Sequence, residues 1–156
     1  MDEDDSPFCI DVTDQYRRLP VDVPSLGKVI GQTLRRFGCQ RARIDVALVD
    51  DARIERLNET YLRHPGPTDC ITFSLADRDS DGIDGQIVIS CETAQREAAA
   101  RGHDAVSEVL LYAVHGTLHL LGWDDAAPEE ARRMHTVEDQ VLSGCGVGPI
   151  YHSSPA

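Results

Sequence analysis

No stretch of this 156-residue chain is an unbroken apolar run of the roughly 18 residues needed to span a bilayer, which excludes a membrane-spanning helix. A secretory leader is not expected either. Met1-Asp2-Glu3-Asp4-Asp5 is acidic where such a leader needs a basic segment followed by an apolar one, and this predicts a cytoplasmic protein. There is no C-x-x-C pair, and Cys9, Cys39, Cys70, Cys91 and Cys145 are odd in number. Neither a disulfide framework nor a cysteine-bound zinc is therefore expected, and the thiols read as reduced and mostly buried. Basic side chains are scarce: 15 Lys and Arg face 27 Asp and Glu, a formal net charge of −12. That balance argues against broad nucleic-acid binding, which is driven by Lys and Arg displacing counterions from phosphate.

What is present is an ordinary globular composition, 41% hydrophobic and 27% charged, in a length suited to one domain. The domain is read as residues 1–156, with a core over 8–143 and flexible ends, an acidic leader over 1–7 and a tail over 149–156. Phe8–Val12, Ile44–Val49, Cys70–Ser74 and Gly85–Ser90 read as strands, the last apolar enough to be central. One helix is predicted from Pro24-Ser25 to Gly38. A second is capped by Asp50 or Asp51 and carries the stripe Ile54, Leu57, Tyr61 and Leu62. Three more run from Glu92 to Arg101 with Gly102 as the stop, from a cap at Ser107 to Gly122, and from Pro128 to Leu142. Arg63 to Asp69 is too rich in Pro and Gly for either structure and reads as a loop. The order implies an α+β fold, a small, mostly four-stranded mixed sheet packed with about five helices.

The chemistry concentrates in His115-Gly116-Thr117-Leu118-His119-Leu120-Leu121-Gly122-Trp123-Asp124-Asp125. His115 and His119 stand at i and i+4 on one helix, so their imidazoles project from the same face and can share a cation. Gly122 stops the helix and lets the chain turn back, which brings Asp125 towards the same point as third ligand. Asp124 is the rival for that place, its other readings being a turn carboxylate or a group that orients a histidine. Both histidines and the glycine match the extended zinc-protease pattern, but Gly116 occupies the position of the glutamate base such a protease needs. A glycine inside a helix costs about 0.5–1 kcal/mol relative to alanine, so either close approach of substrate to the metal or helix–helix packing must favour it there. Three protein ligands leave a fourth position open, the arrangement of a catalytic ion. Tyr112 and Met134 read as packing, and His103, His135 and His152 as surface residues.

The same run resembles the signature H-G-x-L-H-L-x-G-Y-D-H of the YbeY-type endoribonucleases. Pro67-Thr68-Asp69-Cys70-Ile71-Thr72-Phe73 is similar to that family's P-T-D-V-L-S-F, and Gly85-Gln86-Ile87-Val88-Ile89 to its G-D-I-x-I, in the same order within residues 44 to 142. The resemblance implies a compact α+β fold and a bound Zn2+ held by His115, His119 and, where the family usually has histidine, Asp125. It further implies cleavage of single-stranded ribosomal RNA near the 3′ end of the small subunit, with a part in ribosome quality control. Trp123 replaces the usual Tyr, Gln86 replaces Asp, and Leu62 stands where many members have an arginine, so that Arg63 is the neighbouring candidate for its part.

Two neutral imidazoles and one carboxylate leave a bound Zn2+ with less net charge than three histidines would, so Mn2+ or another divalent ion becomes more competitive. The expected reaction is metal-assisted phosphodiester hydrolysis. Arg63 and His64 are candidate catalytic and RNA-binding contacts to phosphate, or else ordinary loop residues; Asp69 orients water or caps the following strand. The expected partners are ribosomal RNA and the small ribosomal subunit. A metalloprotease-like hydrolase and a non-catalytic ribosome-associated factor with a structural metal are the other functions weighed. More than half of the basic residues lie between 28 and 63, and lining the metal cleft they would form a local basic track on an acidic protein.

Overall fold

A computed structural model describes residues 7–62, 66, 68–75 and 82–151. Arg63, His64 and His152 lie outside the described residues, as do residues 1–6 of the expected leader and 152–156 of the expected tail. The sheet is built around β2 (Ala42–Val49), in which Ile44, Val46 and Leu48 are buried on one face while Arg43, Asp45 and Ala47 alternate onto the other. β1 (Phe8–Asp14) and β4 (Ile83–Ser90) flank it in parallel, Ile10 opposite Ile44 and Val46 opposite Ile87. β3 (Cys70–Ser74) closes one edge antiparallel to β4, with Thr72 opposite Ile87, so the order is β1-β2-β4-β3. β4 starts two residues ahead of the expected Gly85, because the Ile83 N–H still pairs with the Arg41 carbonyl at 3.0 Å.

The helices α1 (Val23–Arg36), α3 (Cys91–Arg101), α4 (Ala105–Leu120) and α5 (Pro128–Gly144) share one core with the Ile44, Ile87 and Ile89 face. α2 (Asp51–Leu57) covers the other face, placing Ile54 against Val49, Ile71 and Val88. Asp22, Asp50, Ser90 and Asp104 cap four of these helices by accepting the backbone N–H three residues on. The cap of α4 is thus Asp104, not Ser107; the Ser107 N–H is the donor that Asp104 accepts, at 2.8 Å.

The second helix keeps α geometry only to Leu57 and then widens into a π-helical turn over Asn58–Leu62, where buried Asn58 donates from Nδ2 to the Gly66 carbonyl at 3.0 Å. Tyr61 and Leu62 therefore do not complete a buried stripe; they are 65% and 43% exposed. The chain past Gly148 is held rather than free as far as Tyr151. Ile150 is buried, and Asp139 Oδ1 accepts the N–H groups of Ile150 and Tyr151 at 2.7 and 3.0 Å. All five thiols are free, although Cys9 is exposed and only Cys91 fully buried.

Candidate metal centre

α4 presents His115 and His119 one turn apart, with their Nε2 atoms 3.0 Å from each other. After Leu120 the chain closes a Schellman motif: the Gly122 N–H donates to the His119 carbonyl and the Trp123 N–H to the Leu118 carbonyl, each at 3.0 Å. Gly122 makes this turn at φ +101°, a conformation that side-chain-bearing residues rarely adopt. The reversal brings Asp125 back to the histidines, Oδ2 lying 3.5 Å from His115 Nε2 and Oδ1 3.8 Å from His119 Nε2. One ligand atom from each of the three lies within 4.8 Å of the others. Asp124 Oδ1 accepts the Ala126 N–H at 3.2 Å, the turn role, and the grouped donors are His115, His119 and Asp125.

The far nitrogens of both rings decide what the near ones offer. His119 Nδ1 sits 3.0 Å from the Trp123 carbonyl oxygen, which can only accept, so Nδ1 is assigned the hydrogen. His115 Nδ1 sits 2.5 Å from Glu138 Oε2, a carboxylate fully buried on α5. In the neutral tautomers both Nε2 atoms then turn lone pairs towards one another and towards the Asp125 carboxylate. Three electron-rich atoms converging with no hydrogen between them are what a divalent cation satisfies, so the donor set fits a metal. Asp125 is 41% exposed and His119 27%, which leaves the centre open to solvent on one side.

Sequence reasoning missed Glu138. Its signal was a carboxylate one helical turn after Met134 and one before Leu142, on the stripe that α5 buries. Burial pulls the His115 pKa down, but the Glu138 hydrogen bond and charge, with Asp69 and Asp125 adding to it, hold it above the ordinary imidazole value. Burial likewise raises the Glu138 carboxyl against the lowering effect of its hydrogen bond to His115.

Gly116 points away from the metal donors and into the sheet. A Cβ there would lie 2.9 Å from Ile87 Cγ2 and 3.2 Å from both Cys70 Sγ and Thr72 Cγ2, so packing of the helix on the sheet, not on another helix as expected, accounts for the glycine. Asp69 pairs locally with the Thr68 hydroxyl at 3.4 Å, while its charge is felt at His115 and at Cys70. The Cys70 thiol, pushed well up by burial, is a packing group. Among the described residues, four arginines of the basic run have partners or places away from the metal donors. Arg35 lies over the Phe8 ring, Arg36 hydrogen-bonds Gln140, and Arg41 and Arg43 line a cavity with Pro7 and Asp84, because strands and helices of one segment diverge to different faces. His103 and His135 are also partnered, His103 Nε2 to Glu108 Oε1 at 2.7 Å and His135 stacked 3.7 Å from the Tyr151 ring.

Residues 12–146 match the family described as Endoribonuclease YbeY. The chain belongs to the endoribonuclease YbeY family. Among its relatives is the endoribonuclease YbeY of Carboxydothermus hydrogenoformans, 36% identical over 140 residues that cover 88% of this chain and 97% of the relative. The endoribonuclease YbeY of Moorella thermoacetica is 39% identical over 116 residues, covering 68% and 74%. The solution structure of a Thermotoga maritima protein shares the fold, with a TM-score of 0.60 over 96% of this chain and 98% of the other at 21% identity. The three-donor cluster thus lies inside the part of the chain that matches the YbeY family.

Proposed function

We propose that the chain, acting as one domain over 1–156, is a metal-dependent endoribonuclease of the cytoplasm that cleaves single-stranded small-subunit ribosomal RNA during 3′-end maturation and ribosome quality control. The observation that carries this reading is the convergence of the His115 and His119 Nε2 atoms with the Asp125 carboxylate in a chain belonging to the YbeY family. Zn2+ is the proposed ion, with Mn2+ as the alternative that a carboxylate ligand favours. Bound there, the ion supplies Lewis acidity at a phosphoryl oxygen and lowers the pKa of water.

The protein's own groups prepare that chemistry. The Trp123 carbonyl and Glu138 keep each histidine hydrogen on Nδ1, so both rings meet the ion with the correct nitrogen. The solvent-open side formed by Asp125 admits the phosphodiester. Arg63 and His64, next along the chain from the π-helical turn, are proposed as the cations that offset charge on the phosphate. The protease alternative fails on Gly116: the position a glutamate base would occupy faces Ile87 and Thr72 without room for a side chain. The test is cleavage of a small-subunit RNA 3′ fragment by the wild type and by His119→Ala. Loss of a ligand is expected to lower cleavage at least about a hundredfold. Equal cleavage by the variant would overturn the reading.

A further inference from the structure

On the sheet face opposite α4, between α2 and β3, lies a cavity of about 410 Å3, within the range of small-ligand sites. Its floor is apolar, from Val49 and Val88; its walls are the Tyr61 and Phe73 rings; Arg53 and Gln86 stand at its rim. The two rings meet edge to face, with centroids 5.7 Å apart and planes at 79°, so Phe73 props the Tyr61 ring while Tyr61 stays 65% exposed. The π-helical turn places that ring, and the Asn58 bond to Gly66 fixes the turn. Wider turns of this kind recur at functional sites. No carboxylate lines the cavity among the described residues, although the chain as a whole carries −12.

The cavity and α4 lie on opposite faces of the sheet at β3 and β4. Ile71 and Phe73 of β3 face α2, whereas Cys70 and Thr72 face Gly116 of α4. The chain leads from Tyr61 to Asp69, at the start of β3, whose charge reaches His115.

We infer that this cavity is a subsite for an unpaired nucleobase of the RNA substrate, stacked on Tyr61 over the Val49–Val88 floor. The inference rests on the RNA-cleaving reading above and adds a place where the strand is gripped away from the scissile phosphate. The chemistry of the lining selects this occupant. An aromatic face and an aliphatic floor suit either side of a base, the Gln86 amide can donate to or accept from a base edge, and Arg53 suits the adjoining phosphate. A stacking site tolerates any base, so it supplies grip without demanding a sequence.

The test titrates methyl-labelled wild-type protein with uridine and adenosine monophosphates, which contain no internucleotide bond to cut, and with inorganic phosphate. Both nucleotides are expected to shift the methyls of Val49, Leu57, Leu75 and Val88; phosphate alone is not. Anisotropy with a short unstructured RNA, in chelator so that the strand stays intact, is expected to show binding at least about fivefold weaker in Tyr61→Ala, whereas Tyr61→Phe, which keeps the ring, recovers it. Tyr61 is exposed, and unchanged thermal unfolding of the variants serves as the folding control. Absence of the methyl shifts, equal RNA binding by Tyr61→Ala, or methyl shifts that follow protein concentration without nucleotide, marking a second copy in the cavity, would each overturn the subsite. RNA cleavage that depends on His119 without nucleotide in the cavity removes the subsite alone. Nucleotide binding without cleavage removes the enzymatic reading instead.

Discussion

Asp125 contributes a carboxylate to a centre otherwise made of two imidazoles, and that single choice sets the charge on any bound ion. With Asp125→His the ion keeps more of its positive charge and its water becomes more acidic, so the rising limb of the pH–rate profile should move to lower pH. An unchanged limb would show that Asp125 is not a ligand. Glu138 acts one step back, through His115 Nδ1. In Glu138→Gln an amide replaces the buried anion, and metal affinity measured by calorimetry should fall about 10- to 100-fold. Both histidines and Asp125 were legible as a cluster because their offsets are local, within one helix and the turn after it. Glu138 was not, since it is 23 residues from His115 and only the packing of α5 on α4 brings them together.

Elements are where glycine decides the geometry. α4 can approach β3 and β4 closely because position 116 has no Cβ. Gly116→Ala gains helix propensity of about 1 kcal/mol but forces the buried Ile87 methyl to move, and overpacking of this kind costs about 1–3 kcal/mol. The net expected outcome is a lower Tm in thermal unfolding; a raised Tm would mean that the layers separate without cost. Gly122→Ala strains a residue at φ +101° and displaces both the Trp123 carbonyl and Asp125, so it should weaken metal binding as well as stability. The caps and stops of the helices were readable wherever an Asp, Ser or Gly sat beside an apolar period. The π-helical turn was not, because Ile54, Leu57 and Tyr61 keep helical spacing in sequence whether or not the last turn widens. The widened turn is accompanied by a side-chain bond from Asn58 to the Gly66 carbonyl.

Across the whole molecule, α+β composition and strand number followed from periodicity, whereas the strand order and the separate placement of Arg35, Arg41 and Arg53 did not. Sequence proximity of Arg35, Arg41 and Arg53 says nothing of the face each reaches after a helix or strand intervenes. Folding also couples the centre to pH. The His115 pKa is raised in the folded chain, so its stabilising effect is complete below the ordinary value of 6.5 and is lost as pH rises through the folded value. Glu138, raised by burial, has the same sign over its own range, its stability contribution being lost as pH rises. Metal-free protein should therefore lose Tm as the pH is taken upward past 6.5. Added Zn2+ should reverse that slope, because the ion binds the deprotonated rings and stabilises only the folded state.

Whether His115, His119 and Asp125 hold a metal for cutting RNA is decided by stripping the protein with chelator and returning Zn2+ in steps while following cleavage of the small-subunit RNA 3′ fragment. Cleavage is expected to return in full at one equivalent per chain in the wild type and in Asp124→Ala, and to stay absent in Asp125→Ala at the same metal concentration. Cleavage that persists in chelator, or that returns in Asp125→Ala as it does in the wild type, would contradict this assignment.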